Sequence, residues 1–514
     1  MAENTTAAQD IAAGYATEGE ALELGTVLVD GRVDPSAKVR IPFATLNRHG
    51  LVAGATGTGK TKTLQGLAEQ LSDAGVPVLL ADVKGDLSGL SRPGEDGPKI
   101  QSRAQDTGDD WVATDFPVEF LSLGGGSAAV PIRATITQFG PILLSKVLDL
   151  NDTQESTLGL IFHYADQRGL PLLDTKDLRA VIQFLTSDEG KADLKGIGGV
   201  SAATAGVILR ALVNLEAQGG EAFFGEPEFD PADLIRQVDG KGVVTLVELA
   251  EQAANPKLFS TFLMWLLAEL YEEMPEAGDL DKPKLVFFFD EAHLLFNDAS
   301  KAFLERIEQT VKLIRSKGVG VFFCTQLPTD VPNAVLSQLG ARIQHALRAF
   351  TPEDQKALTK TVKTYPTSKV YDLEEALTSL GTGEAIVTVL SERGAPTPVA
   401  WSRMRAPRSL MAAIGAPAVT EAAKASPLFP KYGHTIDRES AYEKLTARLA
   451  PPPAPIEDVP PPPPEAPAPR REKEEPGMLE GFFSSPAVKS FMRSAASAAG
   501  REISRSIFGT RRRR

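Results

Sequence analysis

The chain has 514 residues with a formal net charge of −13 and a single cysteine, which allows a large core and more than one domain. One cysteine excludes a disulfide framework and a multi-cysteine metal site, and the acidic balance excludes a broadly basic nucleic-acid surface. The sequence shows neither a secretory signal nor an apolar run of about 18 residues, so we expect a soluble, cytoplasmic protein.

The first 40 residues are polar and Ala-rich, with one strand candidate at 25–29. From about residue 41 to 410, apolar segments typical of strands alternate with helical patterns, which predicts an α/β domain with a mostly parallel sheet flanked by helices. A strand-poor stretch at about 135–236 is predicted to be a helical insertion. The strand candidates are 50–54, 76–82, 118–123, 243–249, 285–290, 319–325, 342–347 and 384–390.

Residues 54–61 have the full G-x-x-x-x-G-K-T spacing of a phosphate-binding P-loop, placed between a predicted strand and a predicted helix. Glycines let backbone N–H groups turn inward as an anion nest, and the helix N-terminus adds partial positive charge. Lys60 is predicted to reach the β- and γ-phosphates, and the Thr61 hydroxyl to ligate Mg²⁺. The alternative is a Gly-rich turn that binds nothing. The predicted nucleotide-binding residues are Gly54, Ala55, Thr56, Gly57, Thr58, Gly59, Lys60, Thr61 and Lys62.

The strand candidate 76–82 ends in Asp82. If this strand neighbours the first core strand, Asp82 lies beside the P-loop, where its carboxylate would orient the attacking water or the Mg²⁺ shell. A strand-terminal Asp that caps the turn before Gly85 fits the same residues. The sequence leaves both interpretations open.

Five apolar residues, 285–289, lead into Asp290 and Glu291. This pattern predicts a buried parallel strand, whose carboxyl end is the ligand-binding end in a doubly wound sheet. Asp290 is predicted to hold Mg²⁺, and Glu291 to act as the general base for the attacking water. An apolar strand with solvated acids at its end is common, but a P-loop in the same chain favours two halves of one site.

Gln326 follows the next apolar strand and is predicted to sense the γ-phosphate, with a plain loop residue as the alternative. Arginines matter because a cation stabilises the charge that spreads over the transferring phosphoryl group. Arg315 ends a helical stretch just before that strand, and Arg342 and Arg348 flank the following strand. Exposed arginines are usually solvated, so position alone assigns none of them a role.

After about residue 410 the alternation of strands and helices stops. Residues 411–450 are predicted to be a helical or irregular extension, and the proline-dense segment 451–476 a semi-rigid polyproline linker. The final segment, 477–514, interleaves apolar and basic residues and ends in four arginines. A nucleic-acid arm, a helix on an anionic membrane, a partner-binding peptide and a disordered solubilising tail all fit this composition.

These motifs, in this order, resemble the HerA–FtsK group of P-loop motor ATPases, and above all a bacterial HerA-like, helicase-like family. The resemblance covers most of residues 20–410 and implies a RecA/FtsK-like P-loop NTPase fold. It is carried by residues 54–61, 81–87, 151–154, 224–227, 285–296, 313–326 and 338–354, and the basic end of the chain resembles that of the family. Members of the group carry an N-terminal β-barrel; we expect no full barrel here, because too few residues precede the P-loop.

The resemblance implies a role for each matching position. Lys60 and Thr61 match the Walker A pair. Asp290 and Glu291 match the Walker B acids, and Gln326 matches the sensor.

Arg315 falls where the group places an arginine finger that completes the neighbouring subunit's site, and Arg342 is the second choice for that role. The group forms hexameric rings that move DNA through a central channel. The resemblance therefore implies an ATP- and Mg²⁺-dependent homo-oligomeric motor coupled to DNA translocation or unwinding. The alternative is an ATPase switch or assembly factor that acts on a protein partner without nucleic acid.

Overall fold

The computed structural model describes residues 2–82, 85–124, 128–194, 198–248, 256–278, 280–297 and 299–449. The expectations for the Pro-rich segment 451–476 and the basic tail 477–514 lie outside the described residues. No helix in the described ranges combines the length and the apolar character needed to cross a membrane.

Most strands of the described ranges belong to one large sheet, and two form a small hairpin. The strands are β1 (Ala21–Val29), β2 (Arg32–Pro42), β3 (Gly50–Ala53), β4 (Val78–Asp82), β5 (Val118–Leu123), β6 (Val130–Ile132), β7 (Gln237–Val238), β8 (Lys241–Gly242), β9 (Val244–Glu248), β10 (Leu285–Phe289), β11 (Val319–Thr325), β12 (Ala341–Gln344), β13 (Glu384–Thr388) and β14 (Ala400–Met404).

Helices cover both faces of the sheet. They are α1 (Ala2–Ala13), α2 (Lys60–Asp73), α3 (Pro98–Thr107), α4 (Ile136–Val147), α5 (Asp152–Gln167), α6 (Thr175–Thr186), α7 (Asp188–Asp193), α8 (Ala202–Ala217), α9 (Pro256–Glu273), α10 (His293–Phe296), α11 (Lys301–Ile314), α12 (Asn333–Leu336), α13 (Pro352–Val362), α14 (Leu373–Ser379), α15 (Ala416–Ala425), α16 (Phe429–Tyr432) and α17 (Ala441–Leu449).

The large sheet has 12 strands in the order β2-β1-β14-β13-β12-β3-β11-β10-β4-β9-β5-β6. From β12 to β6 each neighbouring pair is parallel, and from β12 to β2 each pair is antiparallel. The predicted α/β fold with a mostly parallel sheet flanked by helices is therefore confirmed.

The apolar run of β10 shows why the centre of the sheet is buried on both faces. Alternate side chains of a strand point to opposite faces. Leu285, Phe287 and Phe289 pack into the core beneath the helices of the 136–217 segment, whereas Val286 and Phe288 pack into the core on the other face. A continuous apolar sequence is what a parallel strand covered by helices on both sides requires.

Residues 1–40 contribute more to the fold than the single strand candidate predicted at 25–29. They form α1, β1 and most of β2, and β1 pairs with β14 in the large sheet. The sequence analysis also missed β6 and β14. Five helices, α4–α8, lie between β6 and the β7–β8 hairpin, where the helical insertion was predicted. The division of the chain into domains stays a prediction.

His49 ties the start of β3 to its neighbours from inside the core. Its side chain is 3% exposed, its Nε2 donates to the carbonyl of Val311 at 2.8 Å, and its Nδ1 accepts from the N–H of Val321 at 3.1 Å. An Nδ1 that accepts a hydrogen bond carries no proton, so the ring is neutral. Burial, together with the nearby charge of Arg315, lowers the pKa of His49 to about 4.

The neutral ring makes stability depend on pH. The unfolded chain binds a proton at His49 near its ordinary pKa of 6.5, whereas the folded chain does so only near 4. The free energy of unfolding is therefore expected to fall as the pH drops from about 6.5 to 4, by up to about 3 kcal/mol from this residue. Urea denaturation of wild type and His49→Asn across this range measures the contribution. The variant should lose stability less steeply than wild type, whereas His434→Asn, at an exposed position, should follow wild type.

Candidate nucleotide-binding site

The start of the P-loop is hydrogen-bonded to the ends of β11 and β12, the two strands that flank β3. The N–H of Gly54 donates to the carbonyl of Thr325 at the end of β11, 3.2 Å away, and the N–H of Ala55 donates to the carbonyl of Ala346 beyond β12, 2.8 Å away. Helix α2 begins at Lys60 after Gly59, which has a left-handed conformation. The loop thus passes from strand to helix N-terminus, the geometry of an anion nest.

Gly54 lies so close to the backbone of β12 that it admits no side chain. Its φ is +150°, and a Cβ at this position would lie 2.5 Å from the Cβ of His345. A Cβ at Gly59 would lie 3.1 Å from the nitrogen of Gly383, at a φ of +119°. At these two positions glycine is required by space as well as by backbone conformation.

His345 links the strand before the P-loop and the helix after it to β13 through three hydrogen bonds. Its N–H donates to the carbonyl of Ala53 at 2.7 Å, its Nδ1 donates to the carbonyl of Glu384 at 2.8 Å, and its Nε2 accepts from the hydroxyl of Thr63 at 3.0 Å. Burial and the charge of Lys60 lower the pKa of His345 to about 4, so the ring is neutral. The sequence analysis assigned no role to this histidine.

Lys60 folds over the loop. Its Nζ donates to the carbonyl of Gly54 at 2.5 Å and lies 3.4 Å from that of Ala55. The hydroxyl of Thr58 donates to the same Ala55 carbonyl at 2.7 Å. The ammonium group is therefore held at the mouth of the nest, where phosphate oxygens would replace these carbonyls as its acceptors.

The acids after β10 are fixed by the backbone. Asp290 Oδ1 accepts from the N–H of Glu291 at 2.9 Å, and the N–H of Ala292 donates to the carbonyl of Cys324 at 2.8 Å. Glu291 has a φ of +48°, a left-handed conformation that costs a non-glycine residue about 1–2 kcal/mol. Its Oε2 lies 3.4 Å from Nδ1 of His293.

Cys324 lies on β11, the strand between the two predicted halves of the site. Strand β11 pairs with β3 on one side and β10 on the other. Burial raises the pKa of the Cys324 thiol well above its usual value; the charges of Asp290 and Glu291 add to this rise, and that of Lys60 opposes it. The two predicted halves thus follow the strands on either side of β11.

Gln326 lies at the end of β11, between the P-loop and the acids, and its side chain is exposed. The preceding hydroxyl of Thr325 donates to Asp330 Oδ2 at 2.6 Å, and the N–H of Leu327 donates to the same oxygen at 3.0 Å. These two bonds fix the turn on either side of Gln326. Its role as a γ-phosphate sensor stays a prediction.

The premise behind Asp82 is wrong, because β4 does not neighbour β3. Strands β11 and β10 lie between them. Asp82 Oδ2 accepts from the N–H of Leu87 at 2.9 Å, so the carboxylate caps the following turn. Asp82 also faces Glu248 in the neighbouring strand, and burial together with the Asp82 charge raises the pKa of Glu248 to about 7.

Lys62 extends away from the loop. Its Nζ donates to Gln65 Oε1 and to the carbonyl of Met411, both at 3.0 Å. Burial lowers the pKa of Lys62, while the charges of Asp86, Asp82 and Glu69 oppose that shift. Any contribution of Lys62 to phosphate binding therefore comes from its backbone N–H.

The two predicted finger arginines lie outside this cleft. Arg315 is exposed and precedes β11, a seven-residue strand about 20 Å long that separates it from the phosphate edge of its own chain. Arg342 is level with Leu51 in the sheet and donates to the carbonyl of Thr364 at 2.7 Å. Arg348 does reach the site: its Nη2 donates to the carbonyl of Thr56 at 3.2 Å.

A hydroxyl and a carboxylate are the predicted metal ligands, Thr61 and Asp290. Both are oxygen donors, as Mg²⁺ prefers, and Mg²⁺ is usually held by one or two protein groups together with substrate phosphates. In the part of the chain that the structure describes, His, Cys, Asp and Glu form no cluster of three or more that could hold a metal by itself. The donor set thus fits a metal that arrives with a nucleotide.

Comparisons with known proteins agree with this geometry. The family model described as Helicase HerA-like C-terminal matches residues 29–514. The DNA double-strand break repair helicase HerA of Sulfurisphaera tokodaii is 25% identical over 374 residues, 71% of this chain and 66% of that protein. The match thus spans slightly less than two thirds of that relative's length.

Two solved structures share the fold. The unbound bacterial conjugative coupling protein TrwBdeltaN70 has a TM-score of 0.51 and 16% identity, over 79% of this chain and 94% of that one. The plasmid coupling protein TrwB in complex with the non-hydrolysable ATP analogue ADPNP has a TM-score of 0.50 and 16% identity, over 78% and 94%.

The close approach at Gly54 predicts opposite effects for two glycine substitutions. Gly54→Ala should lower the free energy of unfolding by about 1–3 kcal/mol and weaken nucleotide binding, because the new methyl group displaces His345. Gly66→Ala, where a Cβ meets nothing within 4 Å on helix α2, should raise it by about 0.5–1 kcal/mol. Urea denaturation and titration with a fluorescent ATP analogue measure both. A Gly54→Ala protein with wild-type stability and affinity would contradict the steric argument.

Proposed function

The chain belongs to the helicase HerA-like C-terminal family, and we propose that it is a ring-forming motor that hydrolyses ATP and acts on DNA. One observation carries the ATPase proposal: the parallel alignment of β3, β11 and β10 brings the P-loop and the acids of Asp290 and Glu291 to one edge of the sheet. TrwB, whose fold is similar, has been solved with an ATP analogue, which supports ATP as the nucleotide.

The P-loop would bind the triphosphate. Backbone N–H groups of residues 55–61 and the N-terminus of α2 favour negative charge, and the Nζ of Lys60 exchanges its loop carbonyls for phosphate oxygens. Thr61 and Asp290 would hold Mg²⁺, which offsets phosphate charge when bound. In this arrangement the γ-phosphate would face the ends of β11 and β10.

Glu291 would take the proton of the attacking water. Its left-handed backbone turns the residue out of the strand direction at the end of β10, and backbone strain of this kind is often stored at functional sites. Gln326, between the acids and the P-loop, would bind the γ-phosphate and report its loss after hydrolysis. Loss of this contact would change the conformation of the turn that the Thr325–Asp330 hydrogen bond fixes.

Arg315 would act on a neighbouring subunit. The length of β11 keeps Arg315 away from the phosphates of its own chain, whereas its exposure leaves it available at a subunit interface. Head-to-tail contacts that close into a ring bring the finger of one subunit to the site of the next. This supports a homo-oligomer, and the hexamer proposed here follows from the family.

DNA as the substrate is supported by the family and by the similarity to the Sulfurisphaera tokodaii protein, a DNA double-strand break repair helicase. The test is ATP turnover with and without DNA, alongside particle mass in ATP. A DNA motor should hydrolyse ATP several-fold faster with single- or double-stranded DNA. A ring that hydrolyses ATP at the same rate with and without DNA, and binds none, would instead be a switch acting on a protein partner.

Removal of the general base should separate binding from chemistry. Glu291→Gln keeps the size of the side chain but cannot accept the proton, so turnover should fall about 10²- to 10⁴-fold while ATP still binds. Steady-state phosphate release and nucleotide titration measure the two. Glu305→Gln, at an exposed position of α11, is the matched control and should turn over at the wild-type rate. Undiminished turnover in Glu291→Gln would refute the assignment.

If Arg315 acts on the neighbouring subunit, mixing two inactive variants should restore part of the ATP turnover. Arg315→Ala and Lys60→Ala should each be inactive, since a finger is worth about 10³–10⁵ in turnover and the Lys60 charge is needed for phosphate binding. In an equimolar mixed ring, about a quarter of the interfaces combine an intact Lys60 with an intact neighbouring Arg315, so activity should partly return. Absence of any rescue would indicate a role within one chain or none. Arg393→Ala, at an exposed position, should stay active alone.

A further inference from the structure

Helix α13 (Pro352–Val362) carries a row of lysines. Lys356 and Lys360 lie on the helix and Lys363 is its C-cap residue. With 3.6 residues per turn, side chains spaced by four and then three positions lie within about 60° of one another. All three are exposed, so the helix presents one basic face, which we call the α13 lysine face.

Acidic side chains lie near this face, on α13 itself and on the neighbouring helix α14. Within the described residues, none of the three ammonium groups takes part in an ion pair. Of the two acids on the helix, Asp354 accepts the N–H groups of Phe350 at 3.1 Å and Thr351 at 2.9 Å as part of the N-terminal cap. Glu353 lies three positions before Lys356 on the helix, and Glu374 of α14 accepts a hydrogen bond from the hydroxyl of Thr359 at 3.3 Å. A concentrated positive face stands out in a chain of net charge −13.

An exposed aromatic residue, Phe350, precedes helix α13 by two positions. Phe350 is 85% exposed, the highest value among the large apolar side chains of the described residues, and the bond from its N–H to Asp354 fixes its backbone. Proteins that bind single strands combine basic groups for the phosphates with aromatic rings on which bases stack. This pairing favours nucleic acid over a polyanion that lacks bases, such as an anionic membrane.

The segment that carries this face also contacts the nucleotide site. It follows β12, whose end bonds the P-loop, and Arg348 donates to the carbonyl of Thr56. Helix α13 packs against α14 and against the short 3-10 turn Pro328–Asp330, which holds the hydroxyl of Thr325 beside Gln326. Helix α13 is thus connected to Thr325, next to the predicted sensor, through the 3-10 turn, and the segment just before the helix reaches the P-loop through Arg348.

We infer that the α13 lysine face, with Phe350, binds the sugar-phosphate backbone and bases of single-stranded nucleic acid and transmits its occupancy to the nucleotide site. This inference rests on the proposed DNA-acting function and names the surface that would carry it. It assigns no catalytic role to the lysines, so basal ATP turnover is independent of them.

The test replaces the charges while keeping the helix. The variant Lys356→Gln/Lys360→Gln/Lys363→Gln of the full chain is compared with Lys99→Gln/Lys176→Gln/Lys424→Gln, which removes the same charge from exposed positions on α3, α6 and α15. The probe is labelled single-stranded DNA, titrated at several salt concentrations. The α13 variant should bind about tenfold more weakly at low salt, and its slope of log K against log salt should shrink by about 2, whereas the control should match wild type.

The coupling is tested by ATP turnover. DNA should stimulate wild type and the control variant, whereas the α13 variant should keep its basal rate and lose the stimulation. If DNA stimulates the α13 variant as it does wild type and both bind DNA equally, the α13 lysine face is not the DNA-binding surface, although the proposed motor function is retained. If wild type hydrolyses ATP but neither binds DNA nor is stimulated by it, the proposed function on DNA is itself contradicted.

Phe350→Ala separates the aromatic contribution from the charges. Stacking needs unpaired bases, so this variant should weaken binding of single-stranded DNA more than binding of a duplex of the same length. Equal affinities of wild type and Phe350→Ala for single-stranded DNA would remove the ring from the proposed surface.

Discussion

The parallel pairing of β11 with both β3 and β10 is the constraint on which the site depends. Because parallel strands end at the same edge of a sheet, this pairing brings a glycine-rich turn and two acids together, although more than 200 residues of chain separate them. The β11 residues that face these strands are fully buried, so the register is fixed by packing on both faces. A shift of this register would move Gln326 out of the cleft and separate the two halves.

The antiparallel part of the sheet, which begins at β12, supports the P-loop on the side of β3 opposite β11. His345 receives its hydrogen bond from Thr63 only because its other ring nitrogen donates to the carbonyl of Glu384 in β13. The N–H of Gly383, just before that strand, donates to the carbonyl of Thr58 at 3.0 Å. The P-loop is therefore held on this side by residues at the ends of two strands, β12 and β13, that follow it by about 290 and 325 residues.

The sequence predicts those parts of the site whose signal is local. The P-loop and the Asp290–Glu291 pair each combine an apolar strand with polar residues at fixed spacing, and the structure brings both to one cleft. The place of Asp82 could not be predicted, because it depends on strand order, and β4 pairs with β10 rather than β3. His345 was missed, and Arg348 was left without a role, for the same reason: only the pairing of β12 with β3 turns an ordinary strand end into a support for the loop.

Carboxylates at the phosphate-binding edge of the sheet make positive charge near the P-loop important for binding a triphosphate. Strands β10, β4 and β9 are neighbours, and each ends in or just before a carboxylate, at Asp290, Asp82 and Glu248. The pKa of about 7 at Glu248 shows that burial and the Asp82 charge already oppose full ionisation of the row. A triphosphate adds further negative charge, so its binding requires positive charge in the nest, from the helix N-terminus and Lys60. Asp290 and Glu291, the acids of the proposed hydrolysis, follow β10 and so lie across one strand, β11, from the P-loop.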